Sequence, residues 1–479
     1  MTSDKQTHII RNMHLRLKLP AVDKAFRLQQ QLKACLDSEW MDALSRTLDQ
    51  YAGAAEYLHV PRLEIDLAQL PEEDIEKHFR KAALEAVEKA LVELLQQQAM
   101  QNAAPATPAA SAVLARVSLE QQDMDGWFYF LEKGTLPWWM VADQKTDQRW
   151  IGAIRAKPAL FRERWKQAWR HNEINVVRWV EQSSPALRQV MLELLCDTVL
   201  YEQFRLLLTT IEQWLPRLPL AKVRYTSWHC FFDFIDSEAL SRQSLRQTVI
   251  GRFTTRWATY CGQPLTAQQV DILLGQGAPS PAIESKATSW QKATAATPSQ
   301  QAKPAMTTLP EEGLAINNAG LVLLHPFLVH LFRKLEWLTE KDHQLREDAV
   351  DRAVHLLAFL ASGETQLPEY EMVLCKILCG VAPERAIVRE VTLTEEEKQQ
   401  AETLLQAVLE HWTPLNNTSI AALRETFLQR PGLLFNKDGE WVIQVEQRTV
   451  DVLLNRLPWG VSIIRLPWVP QLFRVNWAL

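Results

Sequence analysis

Apolar positions change period along this chain, and each change marks an element. Leu15, Leu17 and Leu19 alternate with His14, Arg16 and Lys18, the two-residue period of a half-buried strand, and Pro20 ends the run. From Ala21 to Tyr51 the spacing turns helical, through Phe26, Leu28, Leu32, Leu36, Met41, Leu44 and Leu48. Leu63, Ile65 and Leu67 alternate again, against Glu64 and Asp66. Leu70-Pro71-Glu72-Glu73 then opens a long helix to about Gln98, with proline and acids where a helix N-terminus favours them. Its stripe is Ile75, Phe79, Ala82, Ala83, Ala86, Ala90, Leu91 and Leu94. The spacing predicts a small β-α-β-α domain over residues 1–98, whose two strands can lie parallel through a helical crossover.

The uncharged, Ala- and Pro-rich stretch Met100–Val113 has little to bury, and residues 99–113 read as a linker. Residues 114–274 carry helical segments broken at Pro158, Pro185, Pro216, Pro219 and Pro264, without a fixed repeat period. Residues 275–311, rich in Pro, Ser, Thr, Ala and Gln, read as a second linker. The last block, 312–479, is denser. Helices are expected over Leu321–Trp337, Ala349–Leu360, Tyr370–Leu378, Thr394–Trp412 and Ser419–Gln429, with Thr394 and Glu397 at capping-box spacing. Trp441, Ile443 and Val445 then alternate with Val442, Gln444 and Glu446, after the turn Asn436-Lys437-Asp438-Gly439, with Leu433–Phe435 as hairpin partner. Val461–Leu466 and Leu472–Trp477 are further candidate strands. The expected fold is therefore mainly α and multi-domain, with a small α/β N-terminal domain and short C-terminal β-strands.

Composition narrows the function classes. A net charge of −5 provides no global attraction to nucleic acid or anionic membrane. Six Cys at irregular spacing do not make a disulfide framework, and Met1–His8 has no apolar core of a signal peptide, so a cytoplasmic setting is expected. The longest apolar run, Leu321–Phe332, contains His325, Pro326 and His330 and is too short to span a bilayer. Glycine is scarce, 15 of 479 residues, and never clusters, which argues against a phosphate-cradling loop. No nucleophile elbow or His-Glu-x-x-His occurs. Cys375 and Cys379, four apart, could supply half a zinc site, but lack a second ligand pair and fit a buried helix face better. Arg162, Lys166 and Arg170 line one side of a helix beside Phe161, Trp165 and Trp169, the pattern of a solvated basic face. No catalytic, cofactor or metal residues are therefore assigned, and no enzyme is expected.

What stands out is tryptophan, 18 residues of it. Leu457-Pro458-Trp459 returns as Leu466-Pro467-Trp468, and Leu136-Pro137-Trp138-Trp139 lies upstream. Proline stiffens each support and the indole offers a large anchor, so these ten residues are candidate interaction anchors as well as candidate core corners.

An ordered set of motifs resembles one family. It begins with His8-Ile9-Ile10 and Arg62-Leu63-Glu64-Ile65-Asp66-Leu67, and continues with Phe130-Leu131-Glu132-Lys133-Gly134-Thr135-Leu136-Pro137-Trp138-Trp139. It resumes at Asn318-Ala319-Gly320-Leu321, Leu324-His325-Pro326-Phe327-Leu328, Arg352–Leu357 and Lys376–Gly380. His411-Trp412, Leu415–Ile420, Arg424-Glu425, Phe427-Leu428, Arg430 and the two C-terminal Leu-Pro-Trp segments complete it. The chain resembles the contractile injection system tape measure proteins. The resemblance implies a non-enzymatic structural or assembly component acting in tube assembly or tube-length control. Its implied partners are tube, baseplate or cap proteins, with self-association through the N-terminal domain as a further expectation. A soluble assembly chaperone or tube-terminus factor, and a general helical interaction scaffold, are the alternative expectations.

Overall fold

The computed structural model describes residues 313–477 except 342, residues 115–270 with short gaps, and residues 8–102 discontinuously. The described chain is mainly helical, with a five-stranded sheet in its C-terminal part. Two compact units divide it, Met1–Met124 and Asp125–Leu479.

In the first unit, α1 (Ser38–Asp49) packs on α2 (Ile75–Asn102). Phe79, Ala83, Val87 and Leu91, four apart along α2, meet Leu32, Cys35, Trp40 and Leu44. The strands differ from the sequence expectation. β1 lies at Glu56–His59, while Leu63–Leu67 belongs to no strand. Its partner is β2 (Ala115–Ser118), and the pairing is antiparallel rather than a parallel crossover. Alternation alone does not name a strand's partner, and here the pairing spans the whole of α2. Leu17 and Leu19 of the first alternating run lie outside the described residues, as do 103–114 and 271–312.

The second unit opens with α3 (Leu119–Lys133), which begins in the first unit, then α4 (Thr146–Ala156), α5 (Pro158–His171), α6 (Glu173–Gln182) and α7 (Pro185–Leu195). Pro158 and Pro185 sit in the first turns of α5 and α7, where the missing N–H costs nothing. Then come α8 (Thr198–Trp214), α9 (Leu220–Asp236) and α10 (Leu245–Cys261). α9 touches α5, α6, α8 and α10. Around it the aromatic residues cluster: Trp165 edge-on to Phe232 at 5.0 Å, Trp179 edge-on to Trp228 at 4.8 Å, and Phe204 stacked on Phe231 at 3.9 Å.

After β3 (Leu314–Ile316), a 3-10 turn Ala319–Leu324 gives way to α11 (His325–Lys334). The single helix expected over Leu321–Trp337 is thus divided at His325-Pro326, where His325 Nδ1 bonds the Val322 carbonyl at 2.9 Å. α12 (Val350–Ser362) ends at Gly363, whose φ of 79° closes the helix in the left-handed region. α13 (Val373–Leu378) and α14 (Glu395–His411) follow, the latter with its Thr394–Glu397 capping box formed. α15 (Ile420–Leu423) loosens into a π turn over Arg424–Leu428. β4 (Gly432–Lys437) and β5 (Glu440–Val445) form the expected hairpin. Asp438 and Gly439 both have positive φ, 52° and 80°, as a two-residue hairpin turn requires. β6 (Ile463–Ile464) and β7 (Phe473–Asn476) complete the sheet in the order β3-β4-β5-β7-β6, with β5 and β7 parallel.

Candidate functional site

The Leu-Pro-Trp segments have three different settings. In the first, Pro137 is buried and Leu136, Trp138 and Trp139 are half-buried. Trp139 lies over Gly126 of α3, where a Cβ would meet its ring at 3.5 Å and the Met140 sulfur at 2.5 Å. In the third, Leu466 and Trp468 are buried while Pro467 faces out. Trp468 Nε1 donates to the Leu378 carbonyl at 2.8 Å, capping α13, and its ring meets Phe332 at 5.1 Å. Gly380 (φ 75°) brings the chain within reach of the Trp468 carbonyl, which would lie 3.0 Å from a Cβ there.

The second segment is the outward one. Pro458 is exposed, and Leu457 and Trp459 are half-buried. Trp459 Nε1 donates to the Leu323 carbonyl at 3.0 Å, which holds the ring edge-on against Phe327 at 5.1 Å. Phe327 in turn lies 6.1 Å from His411. Three separated stretches, around Phe327, His411 and Trp459, thus converge on one partly exposed aromatic face, flanked by exposed Pro326 and His330. The indole N–H is satisfied inward, so the ring presents its apolar surface.

Two groups of buried charges organise the second unit, and the sequence reading assigned neither. On α6, Arg178 is fully buried; its Nε donates to Glu369 Oε2 at 3.0 Å, and it also donates to the Leu131 and Glu384 carbonyls. Lys376, in the middle of α13, donates to Glu369 Oε1 at 2.7 Å and to the Pro383 carbonyl. Burial pushes the Lys376 ammonium below its usual range, against the pull of the Glu369 carboxylate. Gly134, with φ of 74°, borders this cluster: a Cβ there would meet Glu369 Oε1 at 2.6 Å and Arg178 Nη2 at 2.8 Å. The glycine of the Phe-Leu-x-x-Gly motif is therefore required by both its φ and its neighbours.

The second group lies wholly in the C-terminal half. Arg430 clamps Asp451 with two nitrogens, at 3.1 and 2.8 Å, and reaches the Thr426 and Glu446 carbonyls. Trp477 Nε1 adds a bond to Asp451 at 3.1 Å. Of the other motif arginines, Arg352 pairs with Glu397 of the capping box, and Arg424 donates to the Phe359 and Leu360 carbonyls near the end of α12. A signal existed for the missed residues: Lys376 in Val-Leu-Cys-Lys-Ile-Leu-Cys and Arg178 in Val-Val-Arg-Trp-Val are lone charges in apolar helical faces, which survive burial only with partners.

The remaining candidates have structural settings. Cys375 and Cys379 are buried, burial pushes the Cys375 thiol up to about 12, and Cys379 is raised as well. Among the described residues no group of three His, Cys, Asp or Glu is placed to hold a metal. The basic face of α5 is paired: Lys166 and Arg170 meet Asp236, and Arg162 donates to the Leu194 carbonyl at 2.8 Å. No helix among the described residues is long and apolar enough to cross a membrane.

No curated protein and no solved structure matches this chain. A family model does, over residues 7–477, nearly its whole length, and its description is contractile injection system tape measure protein.

Proposed function

The chain belongs to the contractile injection system tape measure family, and from that premise we propose that it works as a folded assembly factor. In this reading it acts on the tube during assembly in the cytoplasm, and docks on a tube, baseplate or cap protein through the face at Phe327, His411 and Trp459. The family supports a structural role in tube length. One observation carries the finer reading: motif residues across the second unit are spent on a compact core rather than spaced along an extended rod. Gly134 borders the buried charges, Trp468 caps α13, and Arg352, Arg424 and Arg430 tie helices and turns together. A ruler that works by its own contour length needs an extended chain, and even a fully helical one of this size reaches only roughly 720 Å.

The test is imaging of particles made without the protein, and with insertions between residues 275 and 309. An assembly factor predicts fewer tubes on deletion and unchanged length with the insertions. Tube length that grows in proportion to the inserted residues overturns this reading in favour of a ruler. Particles of normal number and length after deletion sink both.

A further inference from the structure

The apolar core of the C-terminal half consists wholly of residues from Leu314 to Trp477, together with partly buried neighbours from the same stretch. Among the described residues, the middle helices supply none of its members. Their own core includes the aromatic cluster of Trp165, Trp179, Trp228, Phe204, Phe231 and Phe232. Between the two lies a polar seam. Arg178 and Gln182 come from α6; Glu369, Lys376 and the loop after Gly380 come from the C-terminal half. That loop has no strand or helix ladder, and four of its carbonyls accept from side chains instead: Pro383 from Lys376, Glu384 from Arg178, Ile387 from Gln182 at 2.8 Å and Val388 from His355 at 2.7 Å. Gln182 also accepts from the Glu369 backbone N–H at 3.2 Å. Beside these bonds, Tyr370 meets Phe130 at 5.5 Å and Trp150 at 6.1 Å, both edge-on.

Opening an apolar contact exposes surface to water at a cost proportional to its area. Opening a charged seam returns ions and carbonyls to hydration, which offsets much of what the seam's bonds contributed. Arg389, half-buried, adds a bond to the Gln182 backbone carbonyl. The fully buried cations Arg178 and Lys376 both bond one carboxylate, Glu369, so it is the anion that both of them need. We propose that this seam is a reversible latch: the middle helices Thr146–Cys261 and the C-terminal half Gly313–Trp477 separate there while each keeps its own core, and Glu369 holds the latch shut.

Hydrogen exchange on the full chain tests this. In the unaltered protein, amides of Ala382, of residues 384–389 and of the last turn of α6 should exchange faster than those of α9 and α12, because they open without unfolding either core. Glu369→Gln should accelerate the seam amides by about tenfold or more and leave α12 unchanged, since two buried cations then lack their carboxylate. The triple variant Arg178→Met, Glu369→Leu, Lys376→Met should slow the same amides. Should Glu369→Gln fail to fold, Gln182→Ala removes seam bonds without stranding a charge and should give the same local acceleration. Uniform acceleration across α9, α12 and the seam, or a seam as slow as α12 in the unaltered protein, overturns the latch.

Discussion

The middle helices and the C-terminal half of the second unit bury their apolar surface differently. In the middle, rings do the packing: Trp127, Trp165 and Trp179 are all at or below 1% exposed and pass contacts from α3 through α5 to α6. In the C-terminal half, Leu, Val and Ala fill most of the interior, and tryptophans, whether fully buried like Trp412 or half-buried like Trp459, also act through their N–H groups. There their N–H groups close backbone ends: Trp459 on Leu323, Trp468 on Leu378 and Trp412 on Leu453. The difference teaches what a high Trp content can mean. In one region the indole serves as core volume; in the other its N–H also satisfies a carbonyl that a helix end or turn leaves free.

The contrast breaks hardest at the buried charges. Asp451→Ala leaves Arg430 buried without its anion and strands the Trp477 N–H, so stability should fall by about 3–5 kcal/mol. Chemical denaturation should show the loss, with the transition of the C-terminal half moving most. A middle-region counterpart is acid sensitivity. Burial, aided by Arg256, lowers the pKa of His229 on α9 from 6.5 to about 4, and Arg256 Nη2 lies 2.9 Å from its Nε2. The unfolded chain therefore binds this proton first as pH falls. The stability it lends is full above about 6.5 and is lost as pH drops through about 4, of the order of 3 kcal/mol. Thermal melts from pH 7 to 4 should lose less stability in His229→Gln than in the unaltered protein, and an identical slope would remove His229 from the account.

The two C-terminal anchors sharpen the comparison further. Trp468→Ala empties a core corner and should cost about 3 kcal/mol, whereas the half-buried Trp459→Ala should cost closer to 1–2 kcal/mol. Trp459→Ala should fold and still reduce particle yield; normal yield with normal folding would take the docking face away from Trp459. The smallest effect is expected at Thr394→Ala. It removes one half of the α14 capping box and should lower stability by about 1 kcal/mol, measured by urea denaturation.

Local chemistry made much of the second unit legible. The capping box, the left-handed Gly363, the Asp438-Gly439 hairpin and the proline-led starts of α5 and α7 each depend on residues within a few positions of one another. Where the reading departed from the fold, the missing information was distant. Strand periodicity at Leu63–Leu67 met no strand, because the pairing went to Glu56–His59 and Ala115–Ser118 on the far side of α2. The candidate anchors were visible as a set, but their separation into an outward Trp459 and a buried Trp468 was not. Both stand in the same tripeptide, and only the elements beside them differ.

The sequence by itself determined the capped helix at Glu395–His411 and the Asp438-Gly439 hairpin, and through its ordered motifs it determined the family. Tertiary structure alone decided that Arg178 meets Glu369 across 191 residues and that β7 inserts beside β5 in parallel. It also decided that Lys376 meets the same carboxylate from α13. The reason is range. Backbone propensity, capping and turn geometry act over a few residues, so they are written in neighbouring letters. A buried charge is tolerable only where the whole fold delivers its partner, and no local spacing records that meeting.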